Sequence, residues 1–122
     1  MTLPVKFVVL KDVFRRSDPC ILGIEILAGE LRQNYWIINE NNNRIGKIID
    51  IQSEKRKIDS AKIGDKVAVS IEGAIYGRNI KENQILYSDM TNNDIINFLD
   101  IKDKLPQDYS NAFDEIRRIK NF

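Results

Sequence analysis

The stretch Val13–Arg32, VFRRSDPCILGIEILAGELR, decides how the chain is read. Arg15 and Arg16 stand directly before Ser17-Asp18-Pro19, and an apolar run, Cys20–Leu27, follows at once. Asp bonds its own backbone and Pro presets φ, so the tripeptide is a turn, while the β-branched residues after it favour an extended chain. The segment is either an ordinary loop entering a core strand or a basic lip placed to hold an anion. Ala28-Gly29-Glu30 reads as a second turn, with Gly29 free to take positive φ.

The same grammar extends outward from Val5 to Asp89. VKFVVL, YWIIN, IGKIIDIQ, DKVAVSIEG and ILYSD are short, rich in β-branched residues and separated by turn signals. In KVAVSIE, Val67, Val69 and Ile71 alternate with Lys66, Ala68, Ser70 and Glu72, a period of two that buries one face of a strand. NENNNR is a hairpin tip, because asparagine tolerates left-handed φ better than most residues. Six or more short antiparallel strands at close spacing predict a mainly β fold, a small closed barrel or sandwich over residues 1–89.

After Asp89 the period changes to helical. TNNDIINFLDIKDKL opens with capping residues Thr91 and Asn92, and LPQDYSNAFDEIRRIKNF places Pro106 at the first position of a second helix. In the second helix Tyr109, Ala112, Phe113, Ile116 and Ile119 form one stripe, with acids early and Arg117, Arg118 and Lys120 late, an order that suits the helix dipole. In the first, Ile95, Ile96, Phe98, Leu99, Ile101 and Leu105 cover more than half the circumference. That helix is either sandwiched between barrel and second helix or keeps a surplus apolar groove for a partner. Residues 90–122 thus form a two-helix extension packed on the barrel.

Composition narrows the function. With 43% apolar and 30% charged residues the chain is globular, and no apolar run approaches the ~20 residues that span a bilayer. The single cysteine, Cys20, precludes an internal disulfide, so a reducing, cytoplasmic compartment and no membrane are expected. There is no histidine, which removes the commonest general base and metal ligand, and one cysteine is too few for zinc. GAIYGR, Gly73–Arg78, lacks the Gly-Lys-Ser/Thr ending of a phosphate loop and reads as a bend between strands. A binding module is expected, without catalysis, metal or cofactor. Net charge is only +1, so any nucleic-acid contact has to be local. Two basic clusters qualify: Arg15-Arg16, and Lys55-Arg56-Lys57 in the loop after IIDIQSE.

VFRRSDPCILGIEILAGELR, IGKIIDIQSEKRKIDSAKIGDKVAVSIEG, YGRNI and ILYSD together resemble the C-terminal domain of translation initiation factor 5B of archaea and eukaryotes, the counterpart of bacterial initiation factor two. The specific elements are Phe-Arg-x-Ser-x-Pro before the glycine-containing strand, and Ala61, Gly64, Val67 and Ala68 in order. The closing helices, which the bacterial factor lacks, belong to the likeness. The resemblance implies a barrel of the elongation factor Tu domain II kind with two C-terminal helices. It implies a monomer that holds the methionylated acceptor end of initiator tRNA on the ribosome, receives the C-terminal tail of initiation factor 1A, and promotes subunit joining. It also implies an excised piece with Met1 as an introduced start, GTP being bound and hydrolysed by an absent domain. Arg15, Arg16, Lys55, Arg56 and Arg78 are then expected to border the terminal nucleotides, and Ile96, Ile101, Phe113 and Ile116 to take the tail. Bacterial members have Lys-Arg-Tyr-Lys at Gln52–Lys55 and Glu-Cys-Gly at Lys66–Ala68, in the pocket that senses formyl-methionine; their absence here implies tolerance of an unformylated end. The alternative is a protein-docking module with negligible tRNA binding away from the ribosome.

Overall fold

The structure, a computed structural model, describes all residues from Met1 to Phe122. Eight strands come first: β1 (Val5–Arg15), β2 (Cys20–Arg32), β3 (Trp36–Ile38), β4 (Arg44–Ser53), β5 (Arg56–Lys57), β6 (Ser60–Lys62), β7 (Lys66–Glu72) and β8 (Ile85–Ser88). Helix α1 (Asn92–Ile101), a 3-10 turn at Lys102–Lys104 and helix α2 (Gln107–Lys120) follow. Around the ring the order is β1-β8-β3-β4-β7-β2, and β2 pairs back with β1, all antiparallel. Six strands therefore close a barrel with no free edge, while β5 and β6 add short pairings to β4 and β2.

The period of two builds this barrel directly. Val5, Phe7 and Val9, then Leu22, Ile24 and Ile26, then Val67, Val69 and Ile71 all face inward and are buried. The helices join the same interior: one cluster of 29 buried apolar residues runs from the barrel to Ile95, Phe98, Tyr109, Phe113 and Ile116. Each such side chain contributes about 1.5–3 kcal/mol by leaving water.

Three local features differ from the sequence expectations. Ala28-Gly29-Glu30 is not a turn but part of β2, which bends there and passes from pairing with β1 to pairing with β6. Gly29 sits at φ 81°, and a Cβ there would lie 2.0 Å from the Pro4 carbonyl oxygen, so close passage of two backbones requires glycine. In the basic cluster after β4, Glu54 and Lys55 both take left-handed φ and close a tight hairpin, which leaves Arg56 and Lys57 as strand β5. Pro106, extended at ψ 150°, is the N-cap of α2 rather than its first residue, and Leu105 falls outside α1. Thr91 caps α1 as expected, through a reciprocal box with Asp94.

Candidate nucleic-acid interface

Outward-facing positions of four neighbouring elements leave a cleft of about 530 Å³ on the barrel wall. On β1 the alternation that buries Val5, Phe7 and Val9 turns Leu10, Asp12 and Phe14 to the cleft; β2 adds Ile21 and Gly23. A Cβ on Gly23 would lie 3.6 Å from the Asp12 Cβ, so glycine keeps the floor open. Strand β7 supplies Lys66 and Ala68 from its outer face, with the inward-facing Val67 between them at the cleft's edge, and the β4–β5 hairpin leans over with Gln52, Glu54 and Lys55. Apolar walls are thus combined with two cations and two carboxylates. Phe14 is 67% exposed at the mouth, an unsheltered aromatic surface of the kind that marks recognition sites.

The predicted basic residues do not form one rim. Lys55 lines the cleft, and Arg56 follows it, exposed, in β5. Arg15 is exposed at the end of β1, beside the turn containing the cis Asp18–Pro19 bond, its Nε donating to the Ser17 carbonyl at 2.9 Å. Arg16 leans instead on the loop after β7, its guanidinium 4.9 Å from the Tyr76 ring centroid. Arg78 belongs to that loop and opens on a second depression, lined also by Arg44 and Lys81. Asp12 and Phe14 lie outside the residues expected from sequence, although the alternation Leu10-Asp12-Phe14 places them on one face, whereas Lys66 and Ala68 belong to the stretch that the resemblance sets at the formyl-sensing pocket.

The expected partner-binding residues also separate. Ile96 is 51% exposed on α1, and Ile101 is half-buried. Phe113 and Ile116 are interior: Phe113 packs on Phe98 at 4.5 Å between ring centroids, so neither lines an open groove. Leu99, 38% exposed, accompanies Ile96 on the free face of α1.

Polar bonds fix α2 to the barrel. The Tyr109 hydroxyl and the Arg32 guanidinium both donate to the buried Glu30 carboxylate at 2.6 Å. Burial works to raise the Glu30 carboxyl, but the hydrogen bonds from Tyr109 and Arg32 and the nearby positive charges outweigh it and hold it below its ordinary value. Burial, and then the bond to Glu30, push the Tyr109 hydroxyl well above its usual range. Tyr87 is raised the same way, by burial and by its bond to Glu115, which also accepts from Lys6. No helix is long and apolar enough to cross a membrane.

The molecule is thus a closed six-stranded barrel with a charged cleft on its wall and two helices packed against it. Residues 3–87 match the family described as elongation factor Tu domain 4, and the chain belongs to that family. It is 39% identical to the probable translation initiation factor IF-2 of Metallosphaera sedula and 41% identical to that of Sulfurisphaera tokodaii, each over 98% of this chain. The probable translation initiation factor IF-2 of Methanosarcina mazei is 48% identical over 69% of the chain. The crystal structure of GDP-bound aIF5B from Aeropyrum pernix matches with a TM-score of 0.96 at 35% identity, covering 99% of this chain and 21% of that one. The chain is a translation initiation factor domain, similar to archaeal initiation factor 5B through the barrel and both helices. It covers between 14% and 21% of the length of these relatives.

Proposed function

We propose that this domain receives the methionylated acceptor end of initiator tRNA in the wall cleft, as part of an initiation factor that promotes ribosomal subunit joining. The observation that carries the reading is the composition of the cleft. Its volume is in the range of small-ligand sites, and Phe14, Leu10 and Ile21 offer an apolar, aromatic bed for a thioether side chain. Lys55 and Lys66 offer charge to the terminal phosphates. Asp12 and Glu54 offer carboxylates to the free α-ammonium of an unformylated methionyl ester. A formyl group abolishes that ammonium, so the cleft suits the unmodified end. The chain's own residues bind and orient; GTP and its hydrolysis belong to other parts of the factor.

The test is a titration with methionyl and formyl-methionyl initiator tRNA, using the unaltered chain and the Asp12→Asn, Glu54→Gln double variant. The unaltered chain is expected to bind the unformylated end at least as tightly, and the variant to lose about tenfold for that end alone, the size of one charge-assisted hydrogen bond. A strong preference of the unaltered chain for the formylated end contradicts the reading.

A second reading rests on α1. Ile96 and Leu99 lie side by side on an uncovered helix face, suited to apolar anchors from the C-terminal tail of initiation factor 1A. Ile96→Asp is expected to abolish capture of that tail while the barrel stays folded; tail binding that survives the change removes the assignment.

A further inference from the structure

The second depression, away from the wall cleft, is about 450 Å³ in volume and lies between the β3–β4 hairpin tip and the loop leading to β8. Its charged lining is of one sign: Arg44, Arg78 and Lys81, with no carboxylate. Glu40 and Glu82, next in sequence to lining residues, do not line it. Asp89 offsets Arg44 through an ion pair at 2.8 Å, so Arg78 and Lys81 carry the free positive charge of the depression, on a chain of net charge +1.

The amides around it sharpen the chemistry. Asn39 Oδ1 accepts from the backbone N–H groups of Asn41 and Asn43, and Gln84 Oε1 accepts from the Lys81 N–H. Because backbone N–H groups can only donate, these bonds fix which way each amide points. The oxygens are spent on holding the two loops, and the amide NH₂ groups of Asn39 and Gln84 are left as donors. The side chains therefore present cations and N–H donors together, which is complementary to a ligand that is anionic and accepts only.

One cation is already held in place. Arg44 lies 4.2 Å from the Trp36 ring centroid, and its Nε and Nη2 donate to Asp89 at 3.1 and 2.8 Å. Its remaining donors can meet a ligand with little further loss of side-chain freedom, while Arg78 and Lys81 stay exposed beside it.

We propose that this depression is a phosphodiester-binding site that grips an RNA backbone independently of the wall cleft. Phosphate oxygens accept hydrogen bonds and carry charge along a strand, so successive phosphates satisfy Arg78, Lys81 and the two amides at once. Such a contact is blind to base sequence and to whether the RNA is aminoacylated.

The experiment uses the full chain and a labelled single-stranded RNA oligonucleotide without an aminoacyl group, followed by anisotropy at several salt concentrations. Circular dichroism confirms that each variant is folded. The Arg78→Ala, Lys81→Ala double variant is expected to bind about tenfold or more weakly and to lose roughly 1.4 from the logarithmic salt slope, about 0.7 for each single-strand phosphate contact. Asp12→Asn with Glu54→Gln is expected to leave this binding unchanged. Unaltered affinity in the folded Arg78, Lys81 variant overturns the proposal. Polyglutamate displacing the RNA at equal charge concentration overturns it in favour of an acidic protein, and inorganic phosphate displacing it at equal phosphate concentration overturns it in favour of a free anion. A strong preference of the unaltered chain for the formylated end, with oligonucleotide binding intact, would break the cleft reading and leave this one standing.

Discussion

The two helices are attached to the barrel in opposite ways. Helix α2 buries Tyr109, Ala112, Phe113 and Ile116, and polar bonds along its length reach into the barrel. Near its start Asp108 accepts from the Gly29 N–H at 2.7 Å, Tyr109 donates to Glu30, Glu115 takes Lys6 and Tyr87, and Lys120 pairs with Asp89. Helix α1 buries only Ile95 and Phe98, and beyond its own cap its polar tie is Asp94 accepting from the Thr2 N–H at 3.1 Å. The more apolar helix is thus the less covered one. A stripe that matches its docking surface leads to burial, as in α2; apolar residues in excess of that surface remain in water unless something else covers them.

The contrast is broken most severely at the junction of the helices. Phe113→Ala is expected to cost about 3–5 kcal/mol, since it removes a fully buried ring together with its contact to Phe98. Chemical denaturation showing a fall in unfolding free energy of that size supports the core assignment; a neutral result means Phe113 is a surface residue after all. Tyr109→Phe is expected to cost about 1–3 kcal/mol, because it leaves the Glu30 carboxylate buried with one partner fewer.

Acid probes the same weld. The Glu30 carboxyl is lower in the folded chain than its ordinary 4.5, so the unfolded chain binds more protons between the two values. Its contribution is full above that ordinary value and disappears as pH falls through the lowered one. Unfolding free energy measured against pH should drop less steeply in Glu30→Gln than in the unaltered chain, and parallel curves would contradict the stabilising role. At the small end, Ile96→Asp should change stability by only about 0.5 kcal/mol, as an exposed substitution does. A loss of several kcal/mol would mean that α1 is packed on both sides.

Neutralising Arg15 and Arg16 together sharpens the division among the basic residues. If both meet phosphates, the salt slope for tRNA falls by roughly 1.4 to 1.8 at 0.7–0.9 per contact. With Arg16 resting on Tyr76, a fall of about half that is the outcome the geometry supports, and no fall removes both from the RNA surface.

Much of the fold was legible. Alternation at Val67, Val69 and Ile71 gave a buried strand face, the Asn-rich tip gave the β3–β4 hairpin, and Thr91 gave the start of α1. Ala28-Gly29-Glu30 was not legible as a bend in a continuing strand, because glycine marks positive φ without saying whether pairing resumes with a new neighbour. The surplus on α1 was visible, but which of its residues are covered depends on a surface made by distant strands. The same is true of the bases. Local charge runs were easy to find, whereas the division between Lys55 at the cleft and Arg78 at a separate depression is set by barrel closure. Phe14 was readable only as part of a motif, and its exposure comes from the three-dimensional end of β1.

The central claim is that the wall cleft reads the aminoacyl end of a tRNA. Its most direct test is a fluorescence titration of the chain with methionylated and deacylated initiator tRNA at two salt concentrations. The account predicts tighter binding of the methionylated form at both, with a difference that persists as salt weakens the two together, because the discriminating contacts are the apolar and carboxylate groups of the cleft. Equal affinity for the two forms at both salt concentrations would contradict it.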